Sequence, residues 1–319
     1  MAAMDVCLVS LGTTAGLRRA DQALADALRR AGARVDLVAV ARPRPLRTMA
    51  AQDLQLALAA RRAVRDARAV VYSTVTAATL APRAGAVRFD ATAAGNRPGR
   101  HGLWQRSAER RALRRATLLL PWSEGGLAEV AAARPPAVVV PVPVDPTGPP
   151  VPLDERDVAA VTYGANPVKK GLDRVLAAWR VARRPGETLV VLGAPDPRPE
   201  PGVEHRPLLD AAGWRALVRR ARCFVTAPRR EDYGLAQLEA LAEGTPLVTT
   251  PAPRPYAALP VARELDARLV GDDLAAGLRA ALDAPAAGYP GRAAAALRPW
   301  RAEQVDRLVA ERVVPALLG

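Results

Sequence analysis

Two carboxylates, Glu231 and Glu239, flank a glycine turn in Pro228-Arg229-Arg230-Glu231-Asp232-Tyr233-Gly234-Leu235-Ala236-Gln237-Leu238-Glu239. Gly234 lets the backbone turn sharply and approach a ligand closely. Leu235, Leu238 and Leu241 then repeat at helical spacing, and Gly244 supplies a C-terminal stop. The first N–H groups of such a helix, around Gly234, Leu235 and Ala236, point at whatever lies ahead of it and favour an anion, most naturally a phosphate. Glu231 before the turn and Glu239 inside the helix can each accept hydrogen bonds from hydroxyls. Phosphate in the middle with hydroxyls on both sides is the chemistry of a nucleotide-sugar.

A second cluster is Tyr163-Gly164-Ala165-Asn166-Pro167-Val168-Lys169-Lys170-Gly171-Leu172-Asp173, which contains the only two lysines of the chain. It follows a strand-like run and opens a helix, so it brings N–H groups and a cation to the edge of a sheet. In the first half, Asp90 ends a strand candidate, and a polar loop from Asn96 to Gly102 containing His101 follows. Strand ends favour function, which makes Asp90 and His101 acceptor-side candidates. Gly12 to Gly16 reads either as a ligand loop or as a plain strand-to-helix turn.

Strand-like runs alternating with helical ones must position these groups. Strands are expected at Asp5–Leu11, Arg34–Val40, Ala69–Ser73, Val87–Asp90, Ala116–Leu120 and Ala137–Val140, with a helix from Leu17 to Arg30. Pro141 to Pro152 reads as a linker. The plan then repeats, with strands at Val158–Tyr163, Thr188–Leu192, Cys223–Thr226, Leu247–Thr250 and Arg268–Val270 and a helix at Leu172–Arg184. The alternation predicts parallel, doubly wound sheets, with ligands at the carboxyl ends of the strands. Leu297 to Leu318 reads as an amphipathic terminal helix.

The Glu231–Pro246 stretch resembles the Glu-x7-Glu signature of retaining, family-4 (group 1) glycosyltransferases, and Lys170-Gly171 is similar to that family's Lys-Gly segment. The resemblance implies the GT-B fold: two Rossmann-like domains facing across a cleft. Residues 1–145, completed by the terminal helix 297–319, would form the acceptor side, and 156–296 the nucleotide-sugar side. By resemblance, Glu231 contacts the donor sugar, Glu239 the ribose hydroxyls and Lys170 the diphosphate. Glu231 and Lys170, with Asp90 and His101, are the catalytic candidates. Gly12, Gly164, Asn166, Lys169, Arg230, Tyr233, Gly234 and Leu235 join them around the donor. His205 falls near the base in that layout, with a structural role as the alternative. The family's Arg six positions before this Lys is replaced by Gly164, and Lys169, Arg229 or Arg230 could supply the charge. The implied reaction needs a nucleoside-diphosphate sugar, no other cofactor and no metal. A silent nucleotide-sugar-binding subunit, or an epimerase or phosphorylase of the same fold, is the alternative. A nicotinamide enzyme fits poorly, since no G-x-G-x-x-G is present.

The chain has 319 residues, enough for two domains, and a formal charge of +14 from 46 Lys and Arg against 32 Asp and Glu. The excess is nearly all arginine, part of it consistent with coding bias. It clusters at Arg42/Arg44/Arg47, Arg61/Arg62/Arg65/Arg68 and Arg106/Arg110/Arg111/Arg114/Arg115. These read as solvated faces or as attraction to an anionic membrane or acceptor. Aromatics at 4% offer no stacking platform for nucleic acid. Cys7 and Cys223 lie in apolar runs, as buried thiols would. No leader and no membrane-length run is present, so a soluble, cytoplasmic protein with peripheral membrane contact is expected.

Overall fold

Short runs of Val, Leu and Ala become ten strands in two parallel sheets, in a computed structural model that describes residues 4–41, 46–96, 102–131, 134–195 and 198–319. The first sheet holds β1 (Val6–Ser10), β2 (Val35–Ala39), β3 (Ala69–Tyr72), β4 (Ala86–Phe89) and β5 (Leu119–Pro121). The second holds β6 (Val158–Tyr163), β7 (Leu189–Leu192), β8 (Val203–Arg206), β9 (Ala221–Thr226) and β10 (Leu247–Thr249). The strand orders are β2-β1-β3-β4-β5 and β10-β9-β6-β7-β8. Each order reverses once, between β1 and β3 and between β6 and β9. Such switch points open the crevices in which α/β sheets bind ligands. Register is set by pairs such as Val6↔Val35 and Val6↔Ala69 in the first sheet, and Ala160↔Leu189 and Ala160↔Cys223 in the second.

The chain divides into two compact units, Met1–Pro143 with Trp300–Gly319, and Val144–Pro299. In the first unit the strand period of two splits the core between the sheet's faces. Cys7 and Val9 join one cluster with Leu56, Val70 and Phe89, while Val6 and Leu8 join the other with Leu24, Leu28 and Leu120. Val305, Val309 and Val313 complete the second cluster. The terminal segment is not one regular helix. It runs as α-helix Ala302–Leu308, π-turn Val309–Val313 and α-helix Val314–Leu318, and the wider turn keeps the three valines on one buried face.

Two expected strands need correction, and one strand was not anticipated. Ala137–Val140 gives a bridge rather than a strand: the Leu119 N–H donates to the Pro136 carbonyl, the Val138 N–H to Leu119 and the Val140 N–H to Pro121, but Pro121 has no N–H to complete the ladder between them. Arg268–Val270 is not a strand: Asp266 accepts from the Arg268 N–H at 3.1 Å and starts the 3-10 turn Ala267–Leu269, leaving a single bridge at Val270. β8 went unread because Val203-Glu204-His205-Arg206 has one apolar residue; it is an edge strand with polar side chains. The proline-rich stretch after Pro141 contains the boundary between the two units, Pro143/Val144, and beyond it the chain is packed rather than loose. Val144 is fully buried, Thr147 N–H donates to Glu243, and the Arg156 guanidinium donates to the carbonyls of Val151, Ala221 and Glu243. Burial, with Arg219 nearby, pulls Arg156 down to about 10.

Candidate functional site

The two motifs meet at the switch point of the second sheet, because one leaves β6 and the other leaves β9. Gly171 makes the meeting possible. It sits at φ +64°, and a Cβ there would lie 2.0 Å from the Ala227 carbonyl oxygen just past β9. Only glycine permits both the left-handed backbone and this approach. The Lys169 carbonyl then accepts from the N–H groups of Arg229 and Arg230 at 3.0 and 3.3 Å, zipping the loops together. Asn166 caps the short turn Pro167–Lys170 by accepting from the Lys169 N–H. Gly164 packs against Val191 and Leu172, where a Cβ would come within 3.1–3.2 Å, so its small size serves the packing of β6 on its neighbours.

This geometry sets Lys170 Nζ 2.6 Å from Glu231 Oε2, and the same oxygen accepts from Gln237 Nε2 at 2.8 Å. Glu231 is buried, while the Lys170 side chain keeps 19% of its surface exposed. An ammonium with three donors can therefore hold Glu231 and still reach an incoming anion. Beside it, Lys169 Nζ contacts Asp232 Oδ2 at 2.6 Å, and Arg230 Nε contacts Asp232 Oδ1 at 3.0 Å. Burial pushes the Asp232 carboxyl up, but Arg230 and Lys169 outweigh it and hold it below the ordinary range. Arg229 pairs in bidentate fashion with Asp173, 2.6 Å on each side.

Gly234, at φ +87°, turns the chain into helix Leu235–Ala242, and a Cβ there would press on the Tyr256 ring at 3.0 Å. The first-turn N–H groups of that helix, from Leu235 onward, have no acceptor inside it. Gln237 Oε1 is buried and makes no hydrogen bond among the described residues, an acceptor in want of a donor beside Glu231. Tyr233 is buried, and its carbonyl accepts from the Ala257 N–H at 3.1 Å. Glu239 is also buried and accepts from Trp214 Nε1 at 2.7 Å. Trp214 lies edge-on to both Tyr163 and Phe224, with ring centroids 6.4 and 5.4 Å away. Burial, with Glu239 nearby, raises Tyr163.

Lys169, Lys170, Arg230, Glu231, Gly234 and Leu235 thus fall in one neighbourhood, with Glu239 deeper in the same helix. His205 does not join them: it is on edge strand β8, and its Nε2 contacts the Arg198 carbonyl oxygen at 3.1 Å. Gln237, Trp214 and Asp232 were not singled out in the sequence. Gln237 and Asp232 sit inside the motif, but nothing in their spacing marks them; Trp214 reads as part of an apolar helix face.

The first unit carries its own polar group at its switch point. Ser10 Oγ donates to Asp21 at 2.5 Å, the Leu11 N–H donates to Ser73 Oγ at 3.3 Å, and Arg88 lies 3.5 Å from Asp21 and 4.9 Å over the Trp122 ring. Burial raises Asp21 despite the pull of Arg88, Ser10 and Ser73. Gly12, at φ +50°, follows β1, and its carbonyl accepts from Arg18 at 2.9 Å. Asp90 follows β4 and accepts from the Ala91 N–H at 2.8 Å. His101, Arg42 and Arg44 lie outside the described residues. Cys7 and Cys223 are buried free thiols, the latter pushed up by burial to about 12. Among the described residues no His, Cys, Asp or Glu group is placed to share a metal ion, and no helix is long and apolar enough to cross a membrane.

No protein-family model matches the chain, and no curated protein matches it in sequence. Solved structures do match in fold. The HepE protein of Anabaena, solved with UDP-glucose, superposes with a TM-score of 0.67 at 14% identity, covering 98% of this chain and 100% of that one. WaaG, a glycosyltransferase of lipopolysaccharide biosynthesis, gives 0.62 at 14% identity over 98% and 96%. The pneumococcal O-GlcNAc transferase GtfA, solved with UDP and GlcNAc, gives 0.57 at 13% identity, and there the chain spans only 57% of the longer protein. The two parallel sheets and their helices are those of the GT-B fold.

Proposed function

We propose that the chain is a retaining glycosyltransferase of the family-4 type, moving a sugar from a nucleoside-diphosphate sugar to an acceptor hydroxyl. The observation that carries this reading is the convergence of Lys170, Glu231 and the Gly234-headed helix at one switch point. Lys170 and the helix N–H groups take the diphosphate. Glu231, steadied by Lys170 and Gln237, accepts from hydroxyls of the donor sugar. Glu239, held by Trp214, serves the ribose. Lys169 and Arg230, tied to Asp232, stand in for the family's arginine; Arg229 is committed to Asp173. The UDP and UDP-glucose bound by GtfA and HepE favour a uridine donor.

In the step proposed, the bond from the anomeric carbon to the diphosphate oxygen breaks as the acceptor oxygen bonds to the same face of that carbon. The acceptor's proton passes to the departing phosphate. Catalysis is then largely stabilisation of charge on the leaving group, by cations and N–H dipoles already in place. Protein cations meet that charge, so activity should survive chelation of divalent metal.

Acceptor recognition falls to the first unit, with Asp90 and the residues after β1 as its candidates. Exposed Met49, Leu54, Leu58, Leu103 and Trp104 beside arginine-rich helices support peripheral contact of a cytoplasmic protein with an anionic membrane. The test of the reaction is proton NMR of donor and products during turnover with UDP-glucose and other UDP-, GDP- and ADP-sugars. An α-linked product from an α-linked donor fits the proposal. A β-linked product would contradict retention, and donor epimerised without transfer would favour an epimerase.

A further inference from the structure

Gln237 has one end of its amide in use and the other idle. Its Nε2 donates to Glu231 Oε2 at 2.8 Å, the same oxygen that Lys170 Nζ reaches at 2.6 Å. Two acceptors repel when they face each other, so the carboxylate turns the NH2 end toward itself and the Oε1 end away. The residue is only 1% exposed, and Oε1 makes no hydrogen bond among the described residues. An amide oxygen buried in this way is costly and is normally satisfied. Glu231 repeats the pattern: Oε2 takes both donors, and Oε1 takes none among the described residues. The second unit therefore holds two idle acceptor oxygens on adjoining side chains.

Room beside Gln237 Oε1 comes from Gly234. A Cβ on that residue would stand 3.5 Å from the oxygen and 3.0 Å from the Tyr256 ring, so glycine leaves open the space that a side chain would fill. Tyr256 does not supply the missing donor, since its hydroxyl is taken up by the Thr249 hydroxyl at 2.7 Å and the Thr250 carbonyl at 3.2 Å. From this we infer that Gln237 decides which donor sugar is accepted. Its Oε1 receives a hydrogen bond from one hydroxyl of that sugar, and Glu231 Oε1 receives one from the hydroxyl on the neighbouring carbon. The ligand class is a sugar with a free vicinal diol. A site built to pair with a hydroxyl rejects the analogue that lacks it, because a buried acceptor is then left unpaired. The inference rests on the glycosyltransferase reading, in which a nucleoside diphosphate brings the sugar to this place.

The test is calorimetric titration of the full chain with UDP, UDP-glucose and the UDP-glucose analogues carrying fluorine in place of the 2-, 3-, 4- or 6-hydroxyl. Fluorine nearly keeps the size of a hydroxyl but donates no hydrogen bond. The unaltered chain should bind two analogues, fluorinated at neighbouring carbons, at least tenfold more weakly than UDP-glucose. Gln237→Met, close to glutamine in volume, should keep the affinity for UDP and no longer distinguish UDP-glucose from one of those two analogues. Glu231→Ala should lose the distinction at the other. Gln237→Leu provides the same reading if the methionine variant does not fold. If the Gln237 and Glu231 variants lose the distinction at one and the same carbon only, Gln237 acts merely by holding Glu231 and the inference is overturned. It is overturned as well if both Gln237 variants keep every distinction or lose UDP itself, or if the unaltered chain binds UDP but discriminates against no analogue. Failure of the unaltered chain to bind UDP would instead remove the transferase reading, and the inference with it.

Discussion

Replacing Gly171 by alanine tests the joint that brings the two motifs together. Gly171 and Gly288 both begin helices at nearly the same left-handed backbone angle, φ +64° and +63°. A Cβ added at Gly288 would meet nothing within 4 Å, whereas at Gly171 it would lie 2.0 Å from the Ala227 carbonyl oxygen. Gly288→Ala therefore carries only the backbone cost of an L-residue in that region, about 1–2 kcal/mol. Gly171→Ala adds the displacement of a buried carbonyl, about 1–3 kcal/mol more. Urea denaturation of the two variants, followed by circular dichroism, reads the difference directly. Gly171→Ala should also weaken nucleotide binding, because the Lys169 carbonyl no longer lines up with Arg229 and Arg230; Gly288→Ala should not. Equal losses of stability, within about 0.5 kcal/mol, would refute the claim that Gly171 is there for close approach.

Trp214→Phe keeps the ring but removes the donor to Glu239; leaving a buried carboxylate oxygen without that bond should cost about 1–3 kcal/mol and weaken donor binding, measured by denaturation and titration. Val309→Ala, in the terminal segment, should destabilise the protein by about 2 kcal/mol, since the side chain is fully buried in the first unit's core; an unchanged denaturation midpoint would show that the segment does not belong there. Asp232 has a lowered carboxyl, so between that value and the ordinary aspartate range the unfolded chain binds more protons than the folded one. Its contribution is present above the ordinary range and is lost as pH falls through the lowered value. Asp232→Asn should flatten the acid limb of a stability–pH curve, and an unaltered limb would discount the Lys169–Asp232–Arg230 cluster.

The strand, glycine turn and helix start around Glu231, Gly234 and Glu239 were legible because they are written locally, within a few residues and without reference to the rest of the chain. The pairing of Lys170 with Glu231 depends on strand order, and β6 lies beside β9 only because the connection returns across the sheet, which no local pattern records. Trp214 escaped for a related reason, since its indole meets Glu239 from a helix 25 positions away in sequence. β8 and Arg268–Val270 mark the opposite limit. One is a real strand too polar to be recognised, and the other an apolar run whose aspartate cap decided for a 3-10 turn. In the first unit the Ser10–Asp21–Arg88 group reads in sequence as three unrelated polar residues, and burial alone gives it meaning.

The central claim, that the β6 and β9 loops hold the diphosphate of a nucleotide-sugar through Lys170, is tested most directly by calorimetric titration of UDP into the unaltered chain and into Lys170→Ala. The account predicts binding to the former and a loss of about 1.5–3 kcal/mol in the latter, roughly 10- to 150-fold in affinity. Equal affinity for the two proteins would contradict it, as would an unaltered chain that binds no nucleoside diphosphate at all.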